Sequence, residues 1–555
     1  PSARYQALLQ KLLVDEQVRV RYFAALALGK IGKSSSVPAV LELIRKNADE
    51  DPWIRHVGIM ALLGCSDAKS IAALSSDASP AVRVAAVVAL RRLNSPALAG
   101  FVSDSDPRVV AEAARAINDL PVVAALPALA GLASKADQLS TIKAGEPTSP
   151  GPRDAILRRV LNANYRIGAP ANSDAIAAMA GNEKLPEAIR VEALSMLGSW
   201  AKPDGKDKVS GLWRPLPERA APNAHGLEPL AVRLIDGNAP VSAKVGLFEM
   251  AEKLGWKSLG DAALKLVKDT KSDKKARVAA LNYLGSSKSL LLADAVNVAR
   301  EDKAEDLRSA ATKYAAAVAG AGGATASLEK TLTSGGTKEK QAALNALADL
   351  KEAAADSLLA RWLDDLAAGK VAKDIQLELI EAAAKRTDPK VKDKLAKYNG
   401  ARPDKEGIGL FLECINGGNA EQGKKIFFEK VEASCLRCHK VGTEGGEAGP
   451  ILTDVGRRTD RNYILESIVH PNAKIAAGFE TATLSLKNGT SVIGIVKRDN
   501  PDSLDVLSPE DGLVSVKKAD IKSRGTGLSG MPDVMKEVLT KREIRDLVEY
   551  LGNLK

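Results

Sequence analysis

The sequence predicts a mainly α-helical chain: a long helical repeat, then a smaller helical domain carrying a β insertion. Three observations point there. Only 4% of residues are aromatic while 45% are hydrophobic, a balance that suits helices packed through Ala and Leu rather than β-sandwiches. One short template recurs along the first 400 residues, as repeat architectures require. Beyond residue 400 the pattern changes, ending in alternating apolar segments around Asn488-Gly489 and Asp511-Gly512.

At 555 residues the chain exceeds one ordinary core and should divide into domains. "DEQVRVRYFAALALGKIG" (15–32), "EDPWIRHVGIMALLG" (50–64), "ASPAVRVAAVVALRRL" (78–93) and "SDPRVVAEAARAINDL" (105–120) share the template. A polar residue precedes Pro or Glu, then come a β-branched residue, usually an Arg, and a small-residue apolar helix. The units begin at Glu16, Pro52, Pro80 and Pro107. Asp or Ser is expected to cap each helix, with Pro at its first position, where the missing N–H costs nothing. The apolar stripe behind it must be buried by a neighbouring helix. Ile31–Gly32 and Leu63–Gly64 are expected to close their helices.

Looser units follow at 185–200, 273–287 and 338–350. Two stretches near 140–155 and 201–229 are rich in Pro, Gly and charge and read as loop insertions. In the second, Trp213 and His225 raise a ligand site, against the plainer account of a Trp covering an exposed repeat edge. Residues 1–400 thus read as the solenoid and 401–418 as a linker. Residues 419–555 form the last domain, with a β insertion at about 479–523 built of two hairpins. An amphipathic helix, "TKREIRDLVEYLGNL", closes the chain.

The net charge of +10 lies wholly in the first 400 residues, since from Ala401 onward 23 basic residues balance 23 acidic ones. With no arginine cluster and no basic-aromatic interleaving, a solvated helical surface is expected rather than a nucleic-acid partner. No apolar run reaches the roughly 18 residues that span a bilayer. The chain opens "PSARYQALLQ" without an initiator Met, so a processed product or a fragment missing residues upstream of Pro1 is expected.

Chemistry concentrates in "SCLRCHKVGTEGGEAGP" (434–450), which holds two of the four cysteines and one of the four histidines. Cys435-x-x-Cys438-His439 is the attachment signal for c-type haem. Two thiols one turn apart reach the two vinyl groups of a porphyrin, and His439 then offers its imidazole to the iron. A zinc half-site needs a second ligand pair, which the distant Cys65 and Cys414 do not supply. A thioredoxin-like motif needs a βαβ context that is lacking, and chance occurrence remains the third alternative.

The repeats resemble HEAT-like repeats. Residues 419–555 resemble a class I cytochrome c fold, on an N-terminal helix ending at CxxCH, a "GPIL" turn and the terminal "EIRDLVEYL" helix. More narrowly they resemble the haem-binding domain common in Planctomycetes and Verrucomicrobia, matched by "SIVHPNAKIAAGFE" (467–480) and by "SGMP" (529–532). That resemblance implies a HEAT-like α-solenoid followed by a class I cytochrome c-like helical domain with a small β-hairpin insertion. It implies one covalent haem c with His439 and Met531 as axial ligands. Pro450 would present its backbone carbonyl to the far nitrogen of His439. Met535 is expected at the haem edge or in the core, and His470 is the rival sixth ligand. Arg457 or Arg458 could meet a haem propionate, or else form a solvated helix start.

Haem c is attached outside the cytoplasm, so the expected home is periplasmic. The expected function is electron transfer in preference to catalysis, with the solenoid as docking scaffold or tether; the resemblance implies a sugar or alcohol dehydrogenase as donor and a cytochrome or oxidase as acceptor. Two alternatives stay open. The chain could be the back part of a propeller-type dehydrogenase whose haem is the electron exit, or a haem-based sensor with an open sixth position. Cys414 is left as a buried free thiol.

Overall fold

In the computed structural model the described residues are 3–143, 151–222, 224–319, 323–403, 407–508 and 511–555. The chain forms two compact units, residues 1–298 and 299–555. Helices dominate both, and among the described residues no helix is long and apolar enough to cross a membrane.

In the first unit the template becomes helices Val18–Ile31, Pro52–Cys65, Pro80–Arg92 and Pro107–Asp119. Pro52, Pro80 and Pro107 each begin a helix, where their fixed φ is already helical. Asp51 accepts from the N–H groups of Trp53 and Ile54, and Asp106 accepts from that of Arg108. Ser79 makes no such bond; the carboxylate of Asp77 accepts from its N–H instead. The first helix starts at Val18, two residues past Glu16, and Gln17 leaves its end without a side-chain cap.

Gly32 ends its helix in the left-handed conformation, with φ 71°. Gly64 does not; its helix runs on to Cys65. A Cβ on Gly64 would lie 2.1 Å from the carbonyl oxygen of Gly29, so this glycine lets two consecutive repeat helices touch backbone to backbone.

The recurrent Arg also has a physical role. Arg21 donates to the carbonyl oxygens of Asp15 and Glu16, and Arg83 to those of Asp77 and Ala78, five and six residues back in each case. Arg308 in the second unit repeats the same bonds to Asp302 and Lys303. Each Arg ties its helix to the turn before it and satisfies carbonyls that the turn leaves unpaired.

Both proposed insertions are shorter than the composition suggests. Helix Pro152–Ile167 starts inside the first, and residues 144–150 lie outside the described set. In the second, a helix begins at Ala224, and the segment before it is irregular. Trp213 there is 73% exposed, pairs with Lys206 across an isolated bridge and lies over Gly205. The side chain of His225, the other residue of the expected ligand site, lies outside the described residues.

The second unit joins the last repeats to the C-terminal domain. Of residues 401–418, expected as a linker, the structure describes 401–403 and 407–418. Within them Ile408–Cys414 forms a 3-10 helix, and Ile408, Phe411, Cys414 and Ile415 belong to the same apolar core as the helix Lys541–Gly552. The carboxylate of Glu413 is held by Arg402 at 3.1 Å and Lys541 at 2.7 Å. From the repeats, Glu378 makes a two-pronged pair with Arg545 (2.7 and 2.9 Å), and both side chains are buried. Gln341 donates to the carbonyl oxygens of Asp374 and Gly417.

The β insertion is larger than two hairpins. Strands β1 (Lys440–Val441) and β2 (Glu444–Gly445) form a separate short ribbon. The insertion comprises β3 (Thr481–Leu486), β4 (Ser491–Asp499), β5 (Ser503–Ser508), β6 (Gly512–Lys517) and β7 (Ile521–Thr526), all antiparallel, in the order β6-β5-β4-β3-β7. A fifth strand, β7, therefore pairs with the first. The consecutive strands β6 and β7 stand at opposite edges, joined only by Lys518–Asp520. A flat five-stranded sheet would separate its edges by about 19 Å, whereas four residue steps reach about 14 Å at most. The sheet is therefore rolled, around Leu484, Leu504, Val506 and Val516.

Residues 487–490 join β3 to β4, and the N–H of Leu486 donates across them to the carbonyl of Thr490. The N–H of Gly489 donates to the carbonyl of Leu486, and Gly489 takes φ 87°, the pattern of a type I turn followed by a bulge. The loop around Asp511-Gly512 includes residues 509 and 510, outside the described set.

Candidate haem-attachment site

The site begins with a helix. Asn419 caps Ala420–Glu429 by accepting from the N–H groups of Glu421 and Gln422. This helix packs on Lys541–Gly552, itself capped reciprocally by Thr540 and Glu543. A Cβ on Gly423 would lie 1.9 Å from the carbonyl oxygen of Asp546, so only glycine permits this crossing distance. Phe427 and Tyr550 pack beside it, ring centroids 6.0 Å apart.

After the helix, Ser434 takes a left-handed conformation (φ 47°) and opens a single turn, Cys435–Cys438. One turn brings residues three apart to the same side, so both thiols leave from one short element. Cys435 and Cys438 are half-buried free thiols. Burial raises the pKa of the Cys435 thiol, keeping it protonated at neutral pH.

His439 follows in extended conformation, its N–H bonded to the carbonyl of Cys435 at 2.9 Å. Its Nδ1 lies 2.9 Å from the carbonyl oxygen of Pro450. A carbonyl only accepts, so Nδ1 carries the proton and Nε2 is left with its lone pair. Burial lowers the pKa of this imidazole, outweighing the Pro450 carbonyl, and keeps it neutral. Gly449 completes the seat: a Cβ there would lie 2.7 Å from Cε1 and 2.9 Å from Nδ1 of His439. Bonds from Gly446 N–H to Leu436, Gly449 N–H to Cys438 and Leu452 N–H to Lys440 fold the whole loop back on the CxxCH turn.

Met531 is half-buried and borders the same apolar core that Cys435 and Leu436 border. Its N–H donates to the hydroxyl of Ser529 at 3.2 Å. Met535 is buried within that core. His470 closes the helix Arg461–Val469, its N–H bonded to the carbonyl of Glu466. Arg457 and Arg458 both pair with Asp454, and Arg458 also donates to the carbonyl of Ile451. Cys414 is a fully buried free thiol whose pKa burial pushes up to about 12.

Among the described residues, no group of three or more His, Cys, Asp or Glu is placed to hold a bare metal ion. What the chain presents here is two thiols on one turn, a neutral imidazole with a fixed tautomer, and a thioether on the border of the same core. Nothing in the sequence alone singles out Gly449. Gly449 precedes the noted Pro450, but the need for a glycine there comes from the ring position and not from any local motif.

Residues 2–63 and 67–144, together about a quarter of the chain, match the HEAT-repeat family. No curated protein matches the chain. Among solved structures it is similar to an engineered protein at 16% identity, with 71% of this chain and 97% of that one covered and a TM-score of 0.30. It is also similar to Kap121p bound to Pho4p, at 11% identity, 94% and 60% coverage and a TM-score of 0.40. Kap121p bound to Ste12p gives 13% identity, 78% and 47% coverage and a TM-score of 0.38. The chain thus spans less than two thirds of the Kap121p chains. The first part of the protein is built of HEAT repeats in a mainly helical, solenoid-like fold.

Proposed function

We propose that the C-terminal domain is a class I cytochrome c-like module carrying one covalent haem c, and that the protein is an extracytoplasmic electron carrier. Cys435 and Cys438 would form the thioether links, and His439 and Met531 the axial ligands. The observation that carries this reading is the hydrogen bond from His439 Nδ1 to the Pro450 carbonyl. It orients the ring and leaves Nε2 as the ligating nitrogen, the usual role of a partner behind a metal-binding histidine.

Once bound, the group supplies one-electron iron chemistry. Every other requirement falls on the chain. The CxxCH turn fixes where the ring edge sits, Gly449 leaves room for the imidazole, and the apolar border of Cys435, Leu436 and Met531 limits water. With His439 and Met531 both holding the group, no position would be left for a small ligand, which favours electron transfer over catalysis or gas sensing. Axial ligation and its surroundings can move such a potential over about 0.8 V. The repeats would then act as a docking scaffold for a dehydrogenase donor and a cytochrome or oxidase acceptor, through contacts below about 1,200 Å².

The test is an optical spectrum of the chain matured with haem-attachment machinery, oxidised and reduced, beside Met531→Ala. Wild type should show the weak red thioether-to-iron band, and the variant should lose it. A chain that retains no haem under denaturing conditions would refute covalent attachment. An unchanged variant spectrum would remove Met531 from the ligand set.

A further inference from the structure

We propose that the rolled β insertion clamps the loop that presents Met531, with Thr481 and Asn472 as positioning residues. This deepens the haem reading above and rests on it. The insertion starts and ends side by side, because β3 and β7 are neighbours and Ala482 pairs with Thr526. Both ends therefore open directly onto residues 527–531.

Thr481, the first residue of β3, is 8% exposed and holds that loop twice. Its carbonyl accepts from the N–H of Gly527 at 2.6 Å, and its hydroxyl donates to the carbonyl of Leu528. A Cβ on Gly527 would lie 2.1 Å from the Thr481 hydroxyl oxygen, so a glycine is required for this approach. From the other side, the Asn472 side-chain oxygen accepts from the N–H of Ser529 at 2.7 Å. The Ser529 hydroxyl accepts in turn from the N–H of Met531. Residues 527, 528 and 529 are thus held in succession, by two segments that lie about fifty residues earlier in the chain.

A thioether is a weak, neutral donor. How firmly it stays on iron depends on how little the loop can move away, because a loosely held loop lets a competing ligand in. A roll of five strands, stiffened by its own core, fixes that loop better than a bare connection could. The 92 residues separating Met531 from His439 then have a purpose at the site itself.

The experiment uses the full chain loaded with haem, titrated with free imidazole while the red thioether band is followed. Thr481→Val removes the hydroxyl and keeps the side-chain shape. Asn472→Ala changes an exposed side chain, so folding is spared. Losing one hydrogen bond of ordinary strength, about 0.5–1.5 kcal/mol, corresponds to roughly a 2- to 12-fold change. Each variant is expected to lower the half-displacing imidazole concentration by that factor, and Thr481→Ser should restore it. If wild type shows the band and both variants titrate like it, the clamp is wrong while Met531 ligation stands. If wild type itself lacks the band, Met531 is not the ligand and the clamp falls with it.

Discussion

The imidazole of His439 is constrained from two sides, by an acceptor at Nδ1 and by the backbone of Gly449 against its edge. These constraints make different demands. The Pro450 carbonyl decides which nitrogen carries the proton; Gly449 decides whether the ring fits at all. A methyl group at 449 would stand 2.7 Å from Cε1, closer than carbon atoms approach without displacement. Gly449→Ala is therefore expected to push the ring off the Pro450 carbonyl. Overpacking of this kind costs about 1–3 kcal/mol, which would appear as a lower midpoint in urea unfolding of the C-terminal domain. It should also lower the fraction of chains that retain haem. A variant with unchanged unfolding and full haem content would mean the loop yields freely, and that the seat is not specific to glycine.

Among the elements, the irregular stretch 201–222 is held to the helix Pro152–Ile167 by bonds from Arg158 to the carbonyl of Lys208 and from Arg219 to that of Tyr165, and by the carboxylate of Asp207. Asp207 accepts from Asn162 (3.0 Å), Arg166 (3.1 Å) and the N–H groups of Val209 and Ser210, and its side chain is fully buried. Burial alone would raise its pKa. The N–H of Ser210, the Asn162 amide and the N–H of Val209 outweigh it and hold the carboxyl below the ordinary range. A depressed pKa adds stability that is complete above the unfolded value, near 3.9, and is lost as pH falls through the folded value. Urea unfolding of the full chain should weaken below about pH 4. Asp207→Asn should cost about 1.5–3 kcal/mol at pH 7 and flatten that acid slope; an equal slope in the variant would assign it to other carboxylates. Helix starts at Pro52, Pro80 and Pro107 were legible because each depends on neighbours in sequence. The fifth strand was not, since "IKSRGT" lies at a sheet edge and carries the polar residues such an edge tolerates. The CxxCH turn and Pro450 were equally local, whereas the hydroxyl of Thr481 meets Leu528 from 47 residues away. Nothing in either segment alone announces that contact.

At the scale of the whole second unit, the C-terminal domain is bound to the last repeats through charges taken out of water, rather than tethered to them. Arg545 and Glu378 form a two-pronged pair with side chains 7% and 2% exposed. Beside it, the more open Arg542 pairs with Glu381 at 2.6 Å and bonds to Asn345. Surface pairs of the second kind are worth little. The buried pair differs, because removing one member strands the other without solvent. Breaking such a pair costs about 3–5 kcal/mol, while replacing both members with apolar groups of similar volume is often neutral. Arg545→Met should therefore destabilise residues 299–555 by that amount, and the double change Arg545→Met, Glu378→Leu should recover most of it. Two probes keep the result interpretable: fluorescence of Trp362, which packs against the core of the repeats, and haem absorbance in the C-terminal domain. In wild type the two should report one transition. In Arg545→Met they should separate, with the haem domain losing its support while the repeats persist. Coincident transitions in the single variant, at wild-type stability, would mean that the ion pair is not what holds the domain to the repeats.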